Sequence, residues 1–201
     1  MPHRSASDEP LRSALRSSQR LGLLGREPVE RTIEHADAFV AAVASVHGRV
    51  VDLGSGGGVP GLVIAWRRPD LDVVLSERRQ ARADHLRRLV RSLGLSDRVE
   101  VAAGDVADLS AGAFDAVVAR RFGPPTATLR AAARLLVDRG RLVVSEPPHP
   151  DSQRWATEEL RCCGMRPVMH GDRRVFLAER TFHVKQLPTE VADVSRGTDN
   201  A

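Results

Sequence analysis

The stretch Val50-Val51-Asp52-Leu53-Gly54-Ser55-Gly56-Gly57-Gly58-Val59-Pro60-Gly61 decides the fold. Its apolar start reads as a strand. Its glycines read as a turn that admits positive φ and close approach of backbone N–H groups to a ligand. The segment from Leu62 onward reads as a helix, whose N-terminus carries partial positive charge and for which Pro60 is pre-set. Outward from this unit the texture alternates. Short apolar runs at 73–75, 99–102, 116–119 and 142–144 are separated by helix-like stretches at 62–68, 79–93 and 126–137, with a shorter link at 106–109. Strands buried on both faces and alternating with helices predict an α/β fold with a mostly parallel sheet and helices on both faces. After Pro147-Pro148 a helix is expected at 152–162. Runs at 166–169 and 175–178 around Gly171-Asp172 predict a C-terminal antiparallel hairpin on the sheet edge. A nucleotide-like ligand at the carboxyl end of the first strand is the default for such a sheet.

With 201 residues, 42 % of them hydrophobic, the chain can build one domain with a substantial core. Pro28 opens an amphipathic helix through Val29, Ile33, Phe39, Val40 and Val43, expected to run until Gly48. The chain divides into a flexible N-terminal arm at 1–27 with one helix near 11–24, the main domain at 28–180, and a disordered tail at 181–201. The net charge is +4, and all 30 basic residues except Lys185 are arginine. With no Tyr, five Phe and two Trp, a platform that stacks single-stranded bases on aromatic rings is excluded. Adjacent Cys162 and Cys163 cannot staple distant segments, and no His/Cys/Asp spacing suggests a metal site. No apolar run reaches membrane-spanning length, and Met1–Pro10 lacks a signal region, so a cytoplasmic chain is expected. Seven arginines fall between Arg78 and Arg98 and six between Arg120 and Arg141. They are either solvated helix faces or phosphate contacts.

Two ligands compete for the glycine turn. Gly56-x-Gly58-x-x-Gly61 matches the dinucleotide fingerprint. Against it, Gly54 already makes the turn after the strand, Asp52 suits a cationic amino group better than a pyrophosphate, and Pro60 removes an amide that a phosphate would want. Glu77, ending the second strand, is placed to take the ribose hydroxyls of either ligand. Asp52-Leu-Gly-Ser-Gly-x-Gly instead resembles motif I of the class I S-adenosylmethionine methyltransferases, which implies S-adenosyl-L-methionine as cofactor and a Rossmann-like class I methyltransferase fold. In that superfamily the position of Asp105 reads the adenine amino group. Methylation of exocyclic amines commonly uses an Asn/Asp-Pro-Pro-aromatic loop after the fourth strand. Pro124-Pro125 lacks both flanking residues. A ring nitrogen such as guanine N7 has a free lone pair and needs no base, only a positioning group such as an arginine.

The chain resembles more specifically the ribosomal RNA small-subunit methyltransferase G family (RsmG, once called GidB). The residues that carry this are Asp52-Leu-Gly-Ser-Gly-Gly-Gly-Val-Pro-Gly-Leu, then Arg68-Pro69-Asp70-Leu71, then Ala119-Arg120-Arg121-Phe122. The resemblance implies methyl transfer to N7 of a guanine in 16S rRNA or the small ribosomal subunit. It also implies a donor held by Asp52, Gly54, Ser55, Gly56, Gly58, Pro60, Glu77, Asp105, Val106 and Arg120. Arg120 would lie at the donor–RNA junction, positioning the substrate without a general base. There are departures. Glu34-His35-Ala36-Asp37-Ala38-Phe39 only partly echoes the family's His-x-x-Asp-Ser motif, and Glu146 stands where the family tends to have a lysine. Two alternatives therefore stay open: a small-molecule N- or O-methyltransferase, and a donor-binding RNA-associated protein without turnover. In the tail, Phe182-His183-Val184-Lys185 can be encoded by the palindrome TTTCACGTGAAA, close to the centromere-like site of bacterial chromosome partitioning, so that segment can record a DNA site.

Overall fold

The computed structural model describes residues 7–149, 151, 154–172 and 174–181. Helices α1 (Glu9–Arg20) and α2 (Val29–Ala42) precede strand β1 (Gly48–Leu53). There follow α3 (Gly61–Arg67), β2 (Leu71–Glu77), α4 (Gln80–Ser92), β3 (Val99–Ala103), a 3-10 turn (Val106–Asp108), β4 (Phe114–Ala119), α5 (Pro125–Leu135) and β5 (Leu136–Ser145). Helix α6 (Thr157–Cys162) leads into β6 (Met165–Val168) and β7 (Val175–Arg180).

The seven strands lie in the order β3-β2-β1-β4-β5-β7-β6. Strands β1 to β5 pair in parallel, and β7 is antiparallel to both neighbours. The expected hairpin is therefore present, with β7 rather than β6 next to β5. Alternation along each strand divides the core into two layers. Val50, Ala116 and Val118 pack with α1 to α4, whereas Val51, Leu53, Val117 and Ala119 pack with α5 and α6. Burial on both faces is what the continuous apolar runs required.

The N-terminal expectation needs correction. Residues 9–20, expected within a flexible arm, form a docked helix in which Leu11 and Leu15 are fully buried. Ser18 Oγ lies 2.9 Å from His85 Nε2 of α4, and Arg67 at the end of α3 donates to both oxygens of Asp8. Leu24 packs so close that a Cβ on Gly57 would come within 2.7 Å of its side chain. Leu23 and Leu24, at the end of the arm, thus cover Gly57 of the glycine turn. Helix α2 stops at Ala42, well short of Gly48, and distant arginines satisfy carbonyls at and just beyond its end. Arg68 donates to Val43 O (2.7 Å) and Val46 O (2.8 Å), and Arg141 to Ala42 O (2.8 Å). Helix α6 starts at Thr157 rather than at 152. The tail from 182 onward, including Phe182–Lys185, lies outside the described residues.

Candidate functional site

The parallel register lines up the carboxyl ends of the central strands. Leu53 of β1 pairs with Ala119 of β4, and Ala119 with Val144 of β5. The segments leaving these strands, 54–60, 120–124 and 145–148, therefore start at one level along the rim. Such a rim is where open α/β sheets bind ligands.

The glycine turn is braced from below. Ser55 N donates to Ser76 O (2.9 Å), and Ser55 Oγ to Asp52 O (2.9 Å). Glu77, 5 % exposed, accepts from Gly56 N (3.1 Å) and Arg79 N (2.8 Å), so one carboxylate ties the turn to the end of β2. Asp52 accepts from Gly61 N at 3.0 Å, which anchors the first turn of α3. Two glycines are needed for clear reasons. Gly54 has φ +67, and a Cβ there would come within 3.2 Å of the Phe122 ring. A Cβ on Gly61 would lie 2.3 Å from Leu75 Cδ2, so only glycine lets α3 approach the sheet this closely.

Asp52 is fully buried, and burial pushes its carboxyl up to about 7, only partly offset by the Gly61 amide, the nearby Ser55 hydroxyl and attraction to Arg120. Its Oδ1 has no hydrogen-bond partner. Arg120, just past β4, has its guanidinium drawn below the usual value, first by burial and then by neighbouring Arg121. Arg121 itself sits at φ +58, a left-handed conformation uncommon for a non-glycine residue.

Two clefts open on this rim. One, of about 340 Å³, is lined by Gly54, Ser76, Arg78, Asp105, Val106 and Phe122 among others. Asp105 caps the 3-10 turn through Ala107 N (2.9 Å) and so holds the mouth of that cleft. The other, of about 350 Å³, is lined by Glu27, His35, Arg120, Arg121, Glu146 and Arg154 among others. The segment 120–122 belongs to both walls. Phe122 faces the first cleft, and Arg120 and Arg121 face the second.

Of the residues singled out from sequence, Gly54, Asp105 and Val106 line the first cleft and Arg120 lines the second. Glu77 and Gly56 brace the turn. Asp52, Ser55, Gly58 and Pro60 are buried within or beneath it, and a Cβ on Gly58 would meet Leu62 and Leu86 rather than open space. Sequence reasoning misses Arg78, although its place directly after Glu77 signals it. Glu27 and Arg154 carry no local signal. His35, on a helix and without metal-ligand spacing, gives little reason to expect a functional role. It nevertheless lines the second cleft, where burial and Arg120 lower its pKa.

Residues 12–164 match the family described as rRNA small subunit methyltransferase G. A relative of that name from Kineococcus radiotolerans is 35 % identical over 147 residues, covering 71 % of this chain and 56 % of the relative. One from Mycobacterium marinum is 34 % identical over 161 residues, covering 75 % and 70 %. One from Rhizorhabdus wittichii is 40 % identical over 105 residues, covering 49 % and 48 %. In the first and third of these pairings, the chain spans about half the length of the curated relative it matches. Among solved structures, MtNAS in complex with S-adenosylmethionine superposes with a TM-score of 0.59 at 19 % identity, over 85 % of this chain and 73 % of that one. The [4+2]-cyclase SpnF superposes equally well, at 0.59 and 21 % identity, over 74 % and 81 %. The fold is therefore the class I methyltransferase fold, which by itself leaves the reaction open. The glycine turn, the Arg68-Pro69-Asp70 strap and the Arg120-Arg121-Phe122 wall all lie inside the matched span, and the chain belongs to the rRNA small subunit methyltransferase G family.

Proposed function

We propose that this chain is an S-adenosylmethionine-dependent methyltransferase that methylates N7 of a guanine in 16S rRNA, free or in the small ribosomal subunit. One observation carries the reading. Among the described residues four buried side-chain polar atoms lack a hydrogen-bond partner; two of them, Glu146 Oε2 and Arg154 Nε, belong to residues that line the second cleft, and a third, Asp52 Oδ1, lies beneath the glycine turn. Unsatisfied buried groups are costly and cluster where a ligand completes the hydrogen bonding.

The first cleft fits the donor. Asp52 Oδ1 offers an acceptor to a cationic amino group. Glu77 keeps a second lone pair on each oxygen for ribose hydroxyls, and Asp105 and Val106 stand at the adenine end. The bound donor supplies an activated methyl: the N7 lone pair forms the new C–N bond as the C–S bond breaks, its electron pair goes to sulfur, and no proton leaves. The protein's part is positional and electrostatic. The shared wall 120–122 holds the acceptor beside the donor cleft, Arg120 fixes its phosphate or base, and Leu23 and Leu24 shield Gly57 of the turn from water.

The test is mass mapping of 16S rRNA from a strain lacking this gene, before and after complementation. A 7-methylguanine that disappears and returns supports the reading. An unchanged map overturns it, and donor binding without transfer to any RNA then identifies a non-catalytic binder.

A further inference from the structure

The second cleft is polarised. Arg120 and Arg121 stand on the β4 side, and Glu146, just past β5, stands on the other. Adjacent strands are about 4.8 Å apart, so the β5 rim lies about 10 Å from the glycine turn of β1, two strands away. Glu146 is held rigidly there. Its side chain is 6 % exposed, its Oε1 accepts the Trp155 indole N–H at 2.6 Å, and its backbone N donates to Arg174 O at 2.8 Å. Trp155 is itself fixed by stacking on Phe176, with centroids 4.3 Å apart and planes at 11°. Arg154 lies over the Trp155 ring, its Nε 3.6 Å from the same Oε1. This leaves one acceptor, Glu146 Oε2, and one donor, Arg154 Nε, buried and without a hydrogen bond at a single cleft.

A carboxylate with one oxygen free selects adjacent N–H donors at its own end of the cleft and leaves a phosphate to the arginines of the β4 side. Among the nucleobases, guanine presents two side by side, N1–H and the 2-amino group, on the edge opposite N7. Adenine presents a bare N1 lone pair there, which a carboxylate repels.

We propose that the cleft between Arg120 and Glu146 is a guanine-selective base site. Glu146 takes the N1–H and 2-amino donors, and N7 is left facing the donor cleft. The arginines of the β4 side hold the phosphate. This rests on the methyltransferase reading above and adds the residue that chooses the base. Glu146 acts here as a specificity residue and takes no proton from the acceptor.

The experiment titrates the full chain, saturated with S-adenosylhomocysteine, with guanosine, inosine and adenosine 5′-monophosphates. The two indole N–H signals are followed by nuclear magnetic resonance. Guanosine monophosphate is expected to shift the Trp155 signal and leave Trp66 in place. Inosine monophosphate, which lacks the 2-amino group, is expected to bind about tenfold more weakly, as for a lost hydrogen bond to a charged acceptor, and adenosine monophosphate more weakly still. In Glu146→Gln the preference for guanosine over inosine monophosphate should fall to within about twofold, with S-adenosylhomocysteine affinity unchanged. Equal binding of the three nucleotides by the wild type, no binding of any, or an intact preference in Glu146→Gln overturns the proposal. The wild-type ranking decides the matter even if the variant fails to fold. Failure of the wild type to bind S-adenosylhomocysteine counts instead against the methyltransferase reading, and is recorded separately by calorimetry.

Discussion

Asp52, proposed above as the acceptor for the donor's amino group, also bears on the stability of the fold. Burial raises its carboxyl from 3.8 to about 7, so the folded chain keeps a proton that the unfolded chain has released. Across that window stability falls as pH rises, and above about 7 this group adds no further slope. A donor whose amino group pairs with the ionised carboxylate has the opposite dependence. Its affinity should climb as pH rises through about 5.5 to 7, because fewer molecules must first lose the Asp52 proton. Calorimetric titration with S-adenosylhomocysteine should show that climb in the wild type and a flat profile in Asp52→Asn. Identical slopes would remove Asp52 from the donor site. The division of labour within this carboxylate is not legible in the sequence. The motif places a carboxylate beside the turn, but its Oδ2 is given to Gly61 N, and only the other oxygen is left for a ligand.

At the level of elements, local patterning suffices wherever the chain is apolar on both sides. Strands β1 to β4 and helices α3 to α5 fall within a few residues of their expected bounds, because continuous Val/Leu/Ala runs have few alternatives to a buried parallel strand. Helix α1 departs from expectation for a physical reason. Its sequence Glu9–Arg20 offers only Leu11, Ala14 and Leu15 as an apolar stripe, too narrow to suggest a packed helix. Its stability comes from docking, through those residues, the Ser18–His85 contact and the Asp8–Arg67 pair. Leu15→Ala should therefore destabilise the whole domain by about 2–5 kcal/mol, the usual cost of emptying a fully buried leucine site. Urea unfolding followed by both fluorescence and circular dichroism measures it. A variant of wild-type stability would return α1 to the status of an arm. The end of α2 is illegible for a related reason, since its caps come from Arg68 and Arg141, which are far away in sequence.

For the molecule as a whole, the arginine excess divides into two uses. Arg68, Arg98, Arg134, Arg141 and Arg174 end on backbone carbonyls, joining elements that are distant in sequence. Arg87 pairs with Asp84 on α4. Of the later cluster, Arg120 and Arg121 line the second cleft, and Arg134 and Arg141 do not, so the cluster is not one phosphate-binding surface. The first cleft is largely readable in the sequence, because Gly54, Asp105 and Val106 each follow a strand end. The second is not, because it forms where four segments around 27–35, 120–121, 145–148 and 154 converge. No helix among the described residues is long and apolar enough to cross a membrane. The proposed transfer of a methyl group at this rim onto a ring nitrogen of guanine in 16S rRNA is open to direct measurement. The most direct measurement supplies purified chain with methyl-labelled S-adenosylmethionine and small ribosomal subunits lacking the modification, then digests the RNA to nucleosides for mass spectrometry. Label is expected in 7-methylguanosine alone, reduced about 100-fold by Arg120→Ala while donor affinity changes less than about threefold. Label in any other nucleoside, or none with donor bound, would contradict the proposed transfer.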